Sequence, residues 1–127
     1  MRLLLDTSIT LWTLAGDRRL SKSARNVIES ATEVLVSAVT IWEISVKTAL
    51  GKLEADLDDL LAEMNSVGFR HLALTWEHAR RVRDLPPHHR DPFDRMLVAQ
   101  AMSEPVLLLT SDSFLARYGD LVLVARR

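Results

Sequence analysis

"RLLLDTS", residues 2–8, runs three leucines into an aspartate and then two hydroxyl residues. No polar residue alternates with the leucines. That continuity describes a strand buried on both faces, as in a parallel sheet, rather than a hairpin strand with one wet side. Asp6 closes the strand and can N-cap a helix beginning at "TSITLW". "VLVS" (34–37) and "VLLLT" (106–110) repeat the scheme of a short apolar run ending on a hydroxyl. "RHLALT" (70–75) alternates less cleanly, and "LVLVA" (121–125) closes the series.

Amphipathic segments fill the intervals. Ala24, Val27, Ile28 and Ala31 follow helical spacing after the N-cap candidate Ser21. Trp42, Val46, Ala49 and Leu50 form a second stripe, stopped by Gly51. Leu57, Leu60, Leu61, Met64 and Val67 form a third, ended by Gly68. Thr75 caps a helix carrying Trp76, Ala79 and Val82, which runs out before Pro86-Pro87. Strands alternating with helices imply right-handed crossovers and an α/β fold, with a mostly parallel sheet covered on both faces. Such sheets bind ligands beyond the carboxyl ends of their strands.

The 127 residues suffice for one domain, read here as 1–127. Without cysteine, disulfides and thiolate metal sites are excluded, which fits a reducing compartment. No apolar run approaches the ~20 residues of a membrane span, and Asp6 interrupts the first apolar stretch too early for a signal peptide. The expectation is a cytoplasmic protein with no membrane partner. A net charge of −1 does not advertise a nucleic-acid binder. Basic residues nevertheless gather at Arg80, Arg81, Arg83 and Arg90, with His78, His88 and His89, and again at Arg126 and Arg127. A solvated helix face and a phosphate-contacting rim explain them equally well.

Four acids stand where the strand assignment brings chain segments to one edge: Asp6, Glu43, Asp94 and Asp112. Each has an ordinary account. Asp6 caps a helix; Thr40 and Glu43 match a capping box, with Glu43 to Lys47 as an i,i+4 ion pair; Asp112 caps a turn. In "HHRDPFDR" (88–95), Pro92 suits the first position of a helix, so Asp91 is the cap and Asp94 is spare. Together, four crowded carboxylates would repel, a conflict that Mg²⁺ or Mn²⁺ resolves. Such an ion suits phosphodiester hydrolysis, since it orients phosphate, activates water and stabilises the leaving oxygen. The pair His88-His89 makes a poor zinc site without further converging ligands.

In order along the chain, "LLLDTS", "SAVTIWEISVK", "HHRDPFDRMLVAQA" and "LLTSD" resemble the motifs of PIN-domain ribonucleases. The nearest resemblance is to VapC-like toxins of type II toxin–antitoxin systems, and it spans Leu3 to about Leu123. It implies a PIN-like three-layer α/β/α fold and a Mg²⁺-dependent endoribonuclease, with Mn²⁺ as the other cation. It also implies a homodimer restrained by a cognate antitoxin. On the matching positions, Asp6, Glu43, Asp94 and Asp112 become the catalytic and metal-binding quartet, with Asp6 and Asp94 as direct ligands. Thr7, Ser8, Thr110 and Ser111 would brace that shell, although related chains often carry His where this one has Ser8. His88, His89 and Arg90 become candidate phosphate contacts. Trp12, Trp42 and Trp76 are read as core, any exposed one being available to a partner helix.

Two other functions fit parts of the pattern. A non-catalytic metal- and RNA-binding regulatory module would keep the fold, but a retired enzyme should have lost an acid. A phospho-accepting receiver-like module also clusters aspartates, yet it needs a Lys after another strand, and Lys47 and Lys52 lie on or just after a helix.

Overall fold

The computed structural model describes residues 1–88 and 90–125; His89, Arg126 and Arg127, part of the basic clusters above, lie outside it. The elements run β1 (Arg2–Leu5), α1 (Thr7–Ala15), α2 (Lys22–Ser30), β2 (Glu33–Ser37), α3 (Ala38–Ala49), α4 (Leu57–Ser66), β3 (Arg70–Leu72), α5 (Trp76–Arg81), α6 (Pro92–Ser103), β4 (Leu107–Thr110) and β5 (Val122–Val124). Short 3₁₀ turns cover Val82–Asp84 and Ser113–Tyr118. The five strands are all parallel, in the order β3-β2-β1-β4-β5.

The leucine run explains the layering. Side chains alternate across a strand, so Leu3 and Leu5 face one way and Leu4 the other. Leu3 and Leu5 join Ile9, Leu20, Ala24 and Leu109 beneath α1 and α2. Leu4 joins Leu35, Leu97, Val98, Leu108 and Leu115 on the opposite face, beneath α6. All three leucines are fully buried, and each contributes roughly 1.5–3 kcal/mol. With both faces covered, the continuous apolar pattern is the required one.

Every strand runs the same way, and the helices return against it. Their N-termini therefore gather at the carboxyl edge of the sheet. Asp6 caps α1, Ser37 caps α3, Asp91 caps α6, and Asp112 caps the turn at Ser113. At the far end of α1, Gly16 turns the chain at φ +62°, a left-handed conformation that glycine adopts freely.

Three sequence expectations need correction. On α3 the apolar stripe is not the buried face: Trp42 is 54% exposed and Leu50 63%, whereas Val39, Thr40, Glu43 and Ile44 are buried. The helix starts immediately after β2, so the strand fixes its rotation and turns the polar Thr40 and Glu43 inward. For the same reason Thr40 and Glu43 are not a capping box. Ser37 is the cap, accepting from the Val39 N–H, and Glu43 lies in the second turn. The i,i+4 pair of Glu43 with Lys47 is present.

On α5, Trp76 is 93% exposed and Ala79 is exposed, while His78 is buried. His78 leaves the basic rim for an internal hydrogen-bond chain. Its Nδ1 accepts from the Thr75 N–H at 3.1 Å, so the ring proton sits on Nε2, 2.7 Å from a Glu104 carboxylate oxygen. The buried Gln100 adjoins this chain: it accepts from Ser37 Oγ at 2.5 Å and donates to the Ala73 carbonyl at 3.3 Å. Among the tryptophans only Trp12 packs against a core cluster, and it too is only partly buried.

Gln100→Leu keeps the side-chain volume but removes the acceptor of the fully buried Ser37 hydroxyl and the donor to the Ala73 carbonyl. It should lower the unfolding free energy by about 1–3 kcal/mol in urea melts.

Candidate active site

In this strand order the chain steps outward from β1 to β2 and β3, then crosses back to β4 on the other side of β1, and the crevice beyond β1 and β4 is the place where such sheets take ligands. Two threonines organise it. Thr110, the last residue of β4, donates its hydroxyl to Asp6 Oδ2 at 2.6 Å and accepts from the Asp112 N–H at 3.0 Å. Asp6 Oδ1 accepts from the Ile9 N–H at 2.8 Å, the cap of α1. Thr7 donates to Glu43 Oε1 at 2.6 Å, drawing α3 onto the end of β1. The bracing role expected of Thr7 and Thr110 is thus seen, whereas Ser8 is exposed at the mouth of the site.

Asp6, Glu43 and Asp112 are accordingly tied into one constellation. Asp94 enters from α6. It occupies the third helical position, is partly buried, and follows the Asp91 cap, whose Oδ1 accepts from both the Phe93 and Asp94 N–H groups. Lys47 supplies the link. Its ammonium pairs with Glu43 Oε2 and is raised above the usual lysine range, first by that hydrogen bond and further by the charges of Asp91 and Asp94. Asp6, Glu43 and Asp112 thus share one edge braced by Thr7 and Thr110, while Asp94, at the start of α6, lies within electrostatic reach of Lys47.

The charges oppose one another. Asp6 is pushed up from 3.8 to about 6, chiefly by burial, with Glu43 and Asp112 adding to the rise against the bonds from Thr110 and Ile9. Every donor here is oxygen, the chemistry that hard divalent ions take. Among the described residues, no three His, Asp or Glu side chains stand as a ready cage for an ion. Glu43 is engaged at both oxygens, and Asp112 accepts from the Phe114 N–H. Mg²⁺ typically keeps several waters and takes only one or two carboxylates directly, a demand that the oxygen donors here would meet without a closed cage.

A cleft of about 630 Å³ opens from Thr7, Ser8, Glu43 and Lys47 and runs along α1 toward α4. On the other side, Phe93 of α6 meets the Trp42 ring edge-to-face, with centroids 4.7 Å apart. Arg90 is exposed and His88 partly buried beside the α6 N-terminus. Arg95 is committed to structure, donating to the Pro86 and Val82 carbonyls and to the Tyr118 hydroxyl. Sequence reasoning missed Lys47 as a member of the site, because the i,i+4 spacing already accounted for it.

A raised carboxyl binds its proton more tightly in the folded state, so its penalty is absent below about pH 4 and grows as pH rises to about 6. Asp6→Asn should therefore stabilise the metal-free protein at neutral pH by about 1–3 kcal/mol. The gain should vanish near pH 4 when denaturant melts in EDTA are repeated across that range. Asp91→Ala, by contrast, should lose about 1 kcal/mol at neutral pH through the missing cap, while Asp94→Asn should leave stability nearly unchanged.

The sequence pattern of the PIN domain matches residues 3–121. No curated protein sequence matches the chain significantly. Among solved structures, a toxin–antitoxin complex from Klebsiella pneumoniae is similar at a TM-score of 0.68 and 19% identity, covering 98% of this chain and 98% of that one. DNA-bound VapBC from Salmonella typhimurium gives 0.68 and 16%, covering 99% of each. VapBC-5 from Mycobacterium tuberculosis gives 0.60 and 24%, covering 99% of this chain and 98% of that one. At these identities the structural likeness speaks for the fold, and the matched pattern speaks for kinship: the chain belongs to the PIN-domain family.

Proposed function

We propose that the protein is a divalent-metal-dependent endoribonuclease, the toxin of a type II toxin–antitoxin pair. The observation that supports this reading is a PIN domain in which Asp6, at the end of β1, is close enough to Glu43 and Asp112 for their charges to raise its carboxyl. When bound there, Mg²⁺ or Mn²⁺ would orient the scissile phosphate, favour ionisation of water and offset charge on the leaving oxygen. Asp6, locked by Thr110 and the Ile9 N–H, and Asp94, held by the start of α6, are the candidate direct ligands. Asp112, and Glu43 once freed from Lys47, would hold waters or accept the proton of the attacking one. Arg90 and His88 offer positive and hydrogen-bonding groups to flanking phosphates. In-line attack by water would leave 3′-hydroxyl and 5′-phosphate ends.

Single-stranded RNA loops are the natural substrate class for an open acidic edge. The partner reading is supported by a second cleft, about 590 Å³, lined by Ile41, Trp42, Leu61, Met64 and Phe69. With the exposed Trp76 nearby in sequence to the half-exposed Leu74, it offers apolar surface to an antitoxin helix or a second copy. The similar structures from Klebsiella and Salmonella are a toxin–antitoxin complex and a VapBC, which supports assigning such a partner here. No helix among the described residues is long and apolar enough to cross a membrane.

Cleavage of a structured RNA should require Mg²⁺ or Mn²⁺, stop in EDTA, and fall by at least about a hundredfold in Asp94→Asn and Asp6→Asn. Full activity in Asp94→Asn would remove the site assignment. Saturable RNA binding without turnover at saturating metal would instead support the non-catalytic module.

A further inference from the structure

Glu43 is a carboxylate that has already found a cation. Its side chain is 6% exposed, and the Lys47 ammonium lies on Oε2 while Thr7 donates to Oε1. An i,i+4 pair on a helix surface would usually be dismissed as weak. This one differs in two respects. The carboxylate is buried, and the ammonium also feels the charges of Asp91 and Asp94 from another helix. Lys47 and Glu43 together line the cleft that opens beside Thr7. Its own side chain is 42% exposed, so its stem has room to swing outward.

We infer that Lys47 is a tethered, displaceable counter-ion: in the metal-free protein its ammonium neutralises Glu43, and a divalent cation must compete with it there. The inference rests on reading the acidic edge as a cation site. Two cationic groups cannot share Glu43 Oε2 at contact distance without strong repulsion. Metal entry therefore shifts Lys47 toward solvent, or leaves Glu43 outside the ion's direct shell with Lys47 in place. In both cases the lysine lowers the apparent affinity for metal and protects the empty site from its own repulsion.

The test is calorimetric titration of Mn²⁺ and Mg²⁺ into the full chain without RNA, backed by thermal unfolding with and without metal. Lys47→Met keeps the apolar stem and removes the charge; it should bind metal about fivefold more tightly and melt lower when metal-free. Lys47→Arg keeps the charge and should stay near wild-type affinity. Asp94→Asn should bind more weakly. Unchanged or weaker binding by Lys47→Met would overturn the inference while leaving the site reading intact. Equal binding by wild type and Asp94→Asn, or none by either, would overturn both. If Lys47→Met does not fold by circular dichroism, Lys47→Gln carries the same comparison.

Discussion

The hydroxyl of Thr110 holds the molecule's least comfortable region together. Asp6 is buried at the end of β1, close enough to Glu43 and Asp112 to feel their charge, and its carboxyl is displaced upward accordingly. Left to electrostatics, this edge would spread. It stays in register because β1 and β4 are hydrogen-bonded neighbours and Thr110 joins the end of one strand to the end of the other. The leucine layers on both faces of the sheet supply the stability that this arrangement draws on. Local strain at a site, offset by a core elsewhere, is a common division of labour in proteins that do chemistry.

The fold was readable in the sequence where burial left one choice. Leu3 to Leu5 and Leu107 to Leu109 have apolar residues at both parities of the strand, so only a sheet covered twice accommodates them. Asp91-Pro92 likewise announced a helix start, and the structure places it there. Reading failed where two apolar stripes competed on one helix. In α3, Trp42, Val46, Ala49 and Leu50 made the more hydrophobic face, yet the helix buries Thr40 and Glu43. Tertiary geometry at the strand end and the hydrogen bond from Thr7 outweighed apolar periodicity. In α5, similarly, a satisfied His78 was buried in preference to an unsupported Trp76.

The candidate site was legible as a set of residues but not as an arrangement. The strand assignment could nominate Asp6, Glu43, Asp94 and Asp112, since each lies just after a strand or in the first turns of a helix. It could not show that Thr7 and Thr110 bridge them, because those contacts span about a quarter of the chain in one case and most of it in the other. Nor could it show that Lys47 serves two helices. Such roles depend on distances between segments that the sequence keeps far apart.

Ser37 is both the final residue of β2 and the cap of α3, so no linker separates sheet from helix. That junction works like a keyed shaft. One residue added or removed there would rotate α3 by about 100°, swinging Glu43 out of reach of Thr7. A hinge of several residues would absorb such a change; this joint transmits it whole. Evolution along this stretch is therefore confined to exchanging side chains, with chain length held fixed.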